Sequence, residues 1–232
     1  MSLRLPTALV FSLVCLAPPA WADLNVGWGA YRSGDYATAL REWRPLAERG
    51  DVRAQALLGG LYHDGKGVSQ DYVQAREWYE KSAAQGGAAA QYGLGSLYAN
   101  GKGVPQDYAH ARQWFLKAAA QEFADAERYL GDFYLHGLGV EHDARQALYW
   151  FRRAVDHGSV IALGRLGMMY HLGTGVPRDS VEAHKWYNLA AANGDKKGAV
   201  ARDALAKEMT PAQIAEAQKL AGEWKPIKNE QR

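Results

Sequence analysis

The side chains that could do chemistry are few and far apart. Seven histidines, His63, His110, His136, His142, His157, His171 and His184, are spread along the chain, and the single cysteine is Cys15. A metal centre needs three or four converging ligands, and His63, His136 and His171, which fall at the ends of the A helices of the repeat described below and near one another in its register, are the only arrangement that hints at one. Imidazoles on a solvated surface explain the same residues more simply. There is no Ser-x-x-Lys, Gly-x-Ser-x-Gly, His-Glu-x-x-His or calcium loop, and no Gly-x-x-x-x-Gly-Lys followed by Ser or Thr. The several Gly-x-Gly pairs lack the preceding strand that a dinucleotide site requires. The sequence therefore predicts no catalytic residue, no metal site, no cofactor and no enzymatic activity.

Composition narrows the partners. Lys plus Arg number 27 against 25 Asp plus Glu, a formal net charge of +2. That balance lacks the concentrated basic face of a nucleic-acid binder. Arg4 followed by the apolar run Ala8 to Ala17 and then Pro18-Pro19-Ala20-Trp21-Ala22 reads as a secretory signal ending at residue 22. The run is too short for a stable membrane span, and Val14 before Cys15 does not suit lipidation. A mature chain starting near Asp23, periplasmic or secreted, would hold no cysteine, hence no disulfide.

What such a chain must do is pack, and its packing pattern is periodic. Tyr62, Tyr98, Tyr134 and Tyr170 recur every 36 residues, as do Leu58, Leu94, Leu130 and Leu166. The same step relates Gly59, Gly95, Gly131 and Gly167, the paired glycines beginning at Gly65 and Gly67, and Val68, Asp71, Ala75 and Trp78 with their counterparts. In the first unit Ala54, Leu58, Leu61 and Tyr62 form an apolar stripe at helical spacing. Asp64-Gly-Lys-Gly67 breaks that helix A, and Asp71 is placed to cap a helix B that ends near Gly86. Ala75, Trp78 and Tyr79 face the core, and Gly59 allows close approach. One helix pair cannot bury both its faces, so stacking must complete the core.

The recurring Ala54, Leu58, Gly59, Tyr62, Gly65-x-Gly67-Val68, Asp71, Ala75, Trp78, Ala83, Gly86 resembles the Sel1-like repeat family. The resemblance implies an all-α, right-handed superhelical solenoid of Sel1-like or tetratricopeptide-like helix pairs with a C-terminal capping helix. Its units are 51–86, 87–122, 123–158 and 159–194. Residues 23–50 resemble a tetratricopeptide-like pair with a shorter turn at Ser33-Gly34-Asp35, and Pro45 should kink its second helix. Glu122, standing where Gly86 closes the first unit, should loosen a helix end. Residues 195–226 are expected to form capping helices, the last opened by Thr210-Pro211-Ala212-Gln213 and closed by Pro226, and 227–232 a polar tail.

By the same resemblance the chain is an adaptor that binds a protein or peptide partner, while the charge balance argues against nucleic acid and no stable membrane span is expected after signal cleavage. The A helices of such a solenoid line its concave side, on the face opposite their packing stripe. At about 100° per residue that face carries Arg53, His63 and Asp64, then Tyr92, Ser96 and Asn100, then Asp125, Arg128, Asp132 and His136, then Met168 and His171. These positions do not repeat, either because they contact a partner or because solvent leaves them free to drift. Two further functions are implied only by the resemblance. One is the slow β-lactam hydrolysis of disulfide-rich members, which a mature chain without cysteine or a serine–lysine pair does not suit. The other is an accessory role in envelope polysaccharide export.

Overall fold

The computed structural model describes residues 22–226, and the expected leader and polar tail lie outside the described residues. Within them the chain is all-α, an ordered stack of twelve helices. They are α1 (Leu24–Ser33), α2 (Tyr36–Glu48), α3 (Val52–Asp64), α4 (Tyr72–Ala84), α5 (Ala88–Asn100), α6 (Tyr108–Ala119), α7 (Ala124–His136), α8 (Ala144–Asp156), α9 (Val160–Leu172), α10 (Ser180–Ala192), α11 (Lys196–Ala206) and α12 (Pro211–Glu223). Each helix packs on the next in sequence up to α11, which makes the molecule a solenoid of α/α pairs.

The repeated residues account for this geometry. The carboxylates of Asp71, Asp107, Asp143 and Asp179 accept hydrogen bonds from the free backbone N–H groups opening α4, α6, α8 and α10. Their own N–H groups donate to the carbonyls of Tyr62, Tyr98, Tyr134 and Tyr170, each at 2.9 Å, which closes every A–B loop identically. The second glycine of each loop has two duties. Gly175 sits at φ +71°, and a Cβ there would lie 2.3 Å from the carbonyl oxygen of Ala144, on the preceding unit. Only glycine satisfies both the left-handed backbone and the contact.

The residue after each repeated tryptophan turns out to be the principal core anchor. Phe115 and Phe151 are fully buried and Tyr79 and Tyr187 nearly so. Each ring lies against a helix-A glycine: a Cβ on Gly95 or Gly131 would stand 2.6 Å from the Phe115 or Phe151 ring. The tryptophans differ from the expectation of a buried row. Trp78, Trp114 and Trp150 are half-buried and only Trp186 is buried. A cation lies over each indole, Lys81 at 3.9 Å, Lys117 at 4.1 Å, Arg153 at 5.4 Å and Lys185 at 4.4 Å. At about 100° per residue the adjacent position points further inward, so the tryptophan falls on the boundary.

The ends depart from the regular stack. In the first pair Gly34 at φ +84° makes the short turn and Trp43 is buried over Gly27. Helix α2 runs through Pro45 to Glu48, so the proline, although it removes the bond to the Arg41 carbonyl, does not end the helix. Glu122 takes φ +61°, the only described non-glycine residue with positive φ, and α6 is one residue shorter than α4. At the C-terminus Thr210 and Gln213 form the capping box of α12. Rather than pairing with α11, α12 folds back on α10, with Trp224 edge-on to Trp186.

Candidate functional site: the face shared by the A helices

Successive A helices meet along one side of the stack, α3 with α5 and α9 with α11 directly, α5 with α7 through Tyr92 and Tyr129, and α7 with α9 through Asp132 and Arg165. That side changes in character along the stack.

The middle stretch joins α5, α7 and α9. Tyr92 is half-buried, with ring centroids of Phe123 at 5.2 Å, Tyr129 at 5.8 Å and Phe115 at 5.9 Å. Burial first, then the neighbouring Tyr129 and Asp125, push its hydroxyl up to about 12, so it stays a neutral donor and acceptor. Tyr129 stacks on Phe115 at 4.9 Å and carries the Arg128 guanidinium 4.1 Å above its own ring. Arg128 pairs with Asp132 at 2.9 Å and approaches Asp125 at 3.9 Å. Arg165, one repeat further on, reaches the other oxygen of Asp132 at 3.2 Å. Asp132 thus links two repeats, held between two guanidiniums and only 14% exposed.

Of the positions expected from the sequence, Tyr92, Asp125, Arg128 and Asp132 are brought into this one cluster. Ser96 and Asn100 bond each other within α5, the Asn100 amide donating to the Ser96 carbonyl at 2.8 Å. Arg53 and His136 are exposed on separate units. His63 turns toward its own helix B, its ring 5.3 Å from that of Tyr72, and binds Asp64 at 2.8 Å through Nδ1. Burial opposes the Asp64 charge, but hydrogen bonds from His63 and Lys66 outweigh it and hold the carboxyl below the usual range. His171 is half-buried with its Nδ1 shielded from solvent. The three histidines do not converge, and no group of three or more metal-competent side chains occurs among the described residues.

Tyr129, Arg165 and Ile161 belong to the same face and were missed. They occupy the positions of Leu57 and Arg53 in later units, about 40° and 0° from Arg53 around the helix. Translating every position on that arc, rather than the polar ones of the first unit, would have found them. His63 and His171 lie about 80° to the other side, which explains their turn toward helix B.

At the C-terminal end the face becomes apolar. Ile161 is 59% and Leu172 63% exposed, and Met168 is half-buried between them on α9. Across from them α11 presents Ala201, and a groove of about 580 Å³ lies between the two helices. Arg165, Asp195 and Lys197 are the charged residues lining it.

Comparisons with known proteins fit this architecture. The Sel1 repeat model matches residues 52–87, 88–123, 124–159 and 160–195, more than half of the chain. The chain belongs to the Sel1 repeat family. Among solved structures it is similar to a Sel1 repeat protein from Oxalobacter formigenes, with 32% identity and a TM-score of 0.73 over 88% of this chain and 82% of that one. It is similar also to c5321, a protective antigen of uropathogenic Escherichia coli displaying an SLR fold, with 33% identity and a TM-score of 0.73. That match spans 86% of this chain but only 45% of the antigen. The immunity protein Pa5087 from Pseudomonas aeruginosa shares the fold at 21% identity and a TM-score of 0.56, over 84% of this chain and 80% of that one. No curated protein matches the chain in sequence. Sel1 repeat proteins are typically protein-interaction scaffolds, and the repeat itself is generally non-catalytic. Among the described residues no helix is long and apolar enough to cross a membrane.

Proposed function

We propose that this Sel1 repeat protein is a non-catalytic scaffold, exported to the bacterial envelope, that holds a protein partner on the face formed by its A helices. The observation that carries the reading is the contrast within one helix. Where α3, α5, α7 and α9 touch their own stack they repeat Ala, Leu and Gly. On the opposite side they present in turn Arg53, Tyr92, the Arg128–Asp132–Arg165 cluster and an apolar stripe. A mixed aromatic, ionic and apolar surface suits a protein or peptide better than an enclosed small molecule. Export is supported by the leader-like residues 1–22.

Capture from envelope extract tests the scaffold, using the chain from Asp23 onward and an Asp125→Lys/Arg165→Glu variant of equal helicity. The expected result is a protein retained by the parent and lost by the variant. Identical sets on both, or nothing on either, would overturn the assignment of this face. Export is tested separately by sequencing the N-terminus of the protein in periplasmic and medium fractions. A start at Asp23 is expected, and an intact Met1 in the cytoplasm would refute it.

A further inference from the structure

We infer that the groove between α9 and α11 is a docking site for an acidic, apolar peptide segment of a partner protein. The inference rests on the scaffold reading and specifies its ligand at one end of the face. Three observations lead to it. First, Ile161, Gly164 and Met168 line the groove from α9 at the spacing of one helical face, Ile161 is 59% exposed, and Leu172, outside the groove, prolongs the stripe at 63% exposed. At the place of Ile161 the preceding units carry Arg53, Ala89 and Asp125, so the apolar character is particular to this end. Second, Gly164 contributes no side chain, which leaves a depression with Met168 and Ala201 among its walls, its volume of about 580 Å³ within the range of ligand clefts.

The third observation is charge. Two cations line the groove, Arg165 with its side chain 38% exposed and the exposed Lys197. The one acid, Asp195, is engaged as the cap of α11, accepting the Lys197 backbone N–H at 2.9 Å. Arg165 already shares Asp132 with Arg128, so that carboxylate divides its charge between two guanidiniums. A peptide that inserts an aliphatic or aromatic side chain over Gly164 and sets flanking Asp or Glu against Arg165 and Lys197 matches both features. A basic peptide matches only the first.

Selection from a random-peptide display library on the chain from Asp23 onward tests this. Enrichment of peptides with a large apolar residue flanked by Asp or Glu is expected. A synthesised winner should bind about tenfold or more weakly to an Arg165→Glu/Lys197→Glu variant and lose binding to Ile161→Asp. Winners without acidic bias, or indifferent to the charge reversal, would overturn the inference. Winners lost with Asp125→Lys but retained by Lys197→Glu would place binding on the middle stretch, sinking this inference while the scaffold reading stands. Binding about tenfold tighter to a chain ending at Pro226 would give the groove to residues 227–232 instead. Concentration-dependent self-association abolished by Ile161→Asp would give it to a second copy, and either result overturns the inference.

Discussion

Repeats 2 and 3 share a backbone and differ at one interior seam. In repeat 2 the buried Gln91 on α5 accepts a hydrogen bond from Gln121, past the end of α6, at 2.9 Å, and Gln121 also donates to the Gly86 carbonyl at 2.8 Å. Repeat 1 does the same with Gln55 and Gln85 at 2.9 Å. In repeat 3 the pair becomes Glu127 and His157. The Glu127 side chain is fully buried and contacts His157 Nδ1 at 2.7 Å and Arg153 at 2.9 Å. Repeat 4 places Leu163 there, and Asn193 turns its amide back to the Leu189 carbonyl. One backbone site accepts an amide pair, an ion cluster or a hydrophobe. The fold requires only that whatever is buried be satisfied, and the chemistry of the seam is free to change.

Breaking that seam should produce the largest effects. Glu127→Ala removes the buried carboxylate that Arg153 and His157 share and is expected to destabilise by about 3 kcal/mol in urea unfolding, the low end for breaking a buried pair because Arg153 keeps part of its contact with solvent. Transplanting the repeat 2 solution, Glu127→Gln with Arg153→Lys and His157→Gln, should return stability to within about 1 kcal/mol of the parent, because every buried polar group regains a partner. If the transplant is as damaging as Glu127→Ala, the seams are not interchangeable and the comparison fails.

A second test sharpens the units' likeness elsewhere. Gly131→Ala puts a methyl against the Phe151 ring and should cost about 1–3 kcal/mol by overpacking, and Gly95→Ala against Phe115 should cost a similar amount. Unequal losses would show that the two units are packed to different tightness.

A third concerns pH. His184, at the helix-B position held by Arg76, Arg112 and Leu148 in the other units, is 2% exposed. Burial and then the nearby Arg202 hold its imidazole below its ordinary value, against the weaker pull of Asp203. A group depressed in the folded state binds more protons unfolded. Its contribution is therefore present above the unfolded value of about 6.5 and is lost as pH falls through the folded value. Thermal melts between pH 7.5 and 5 should show a drop that is smaller in His184→Leu, which imports the Leu148 solution. The smallest effect expected is from Glu122→Gly, which relieves a left-handed non-glycine residue and should stabilise by about 0.5–1 kcal/mol; an unchanged melting temperature would mean that Glu122 is compensated by its surroundings.

Much of the fold was legible because solenoid contacts are local. Asp71, Gly65, Gly67 and their counterparts act within one loop or on the adjoining unit, so a 36-residue period in the sequence maps directly onto a period in space. The tryptophan row was read too deep because periodicity tells which residues recur, while a 100° step decides whether a ring lies in the core or on its edge. The candidate face was legible only in part. Tyr92, Arg128 and Asp132 could be marked as varying positions, but the first unit shows Leu57 where later units carry Tyr129 and Arg165, and an apolar template hid them.

By itself, then, the sequence determined the unit, its helix caps, its glycine loops and the number of times it stacks, since each depends on residues near one another in the chain. Only the tertiary structure decided that Asp132 bridges Arg128 to Arg165, that Glu127 is sealed between Arg153 and His157, that α12 returns to α10, and that α9 and α11 leave a groove between them. Those outcomes depend on how far each unit is rotated against the next, which sets the distances between side chains some 30 to 40 residues apart and is written in no single repeat.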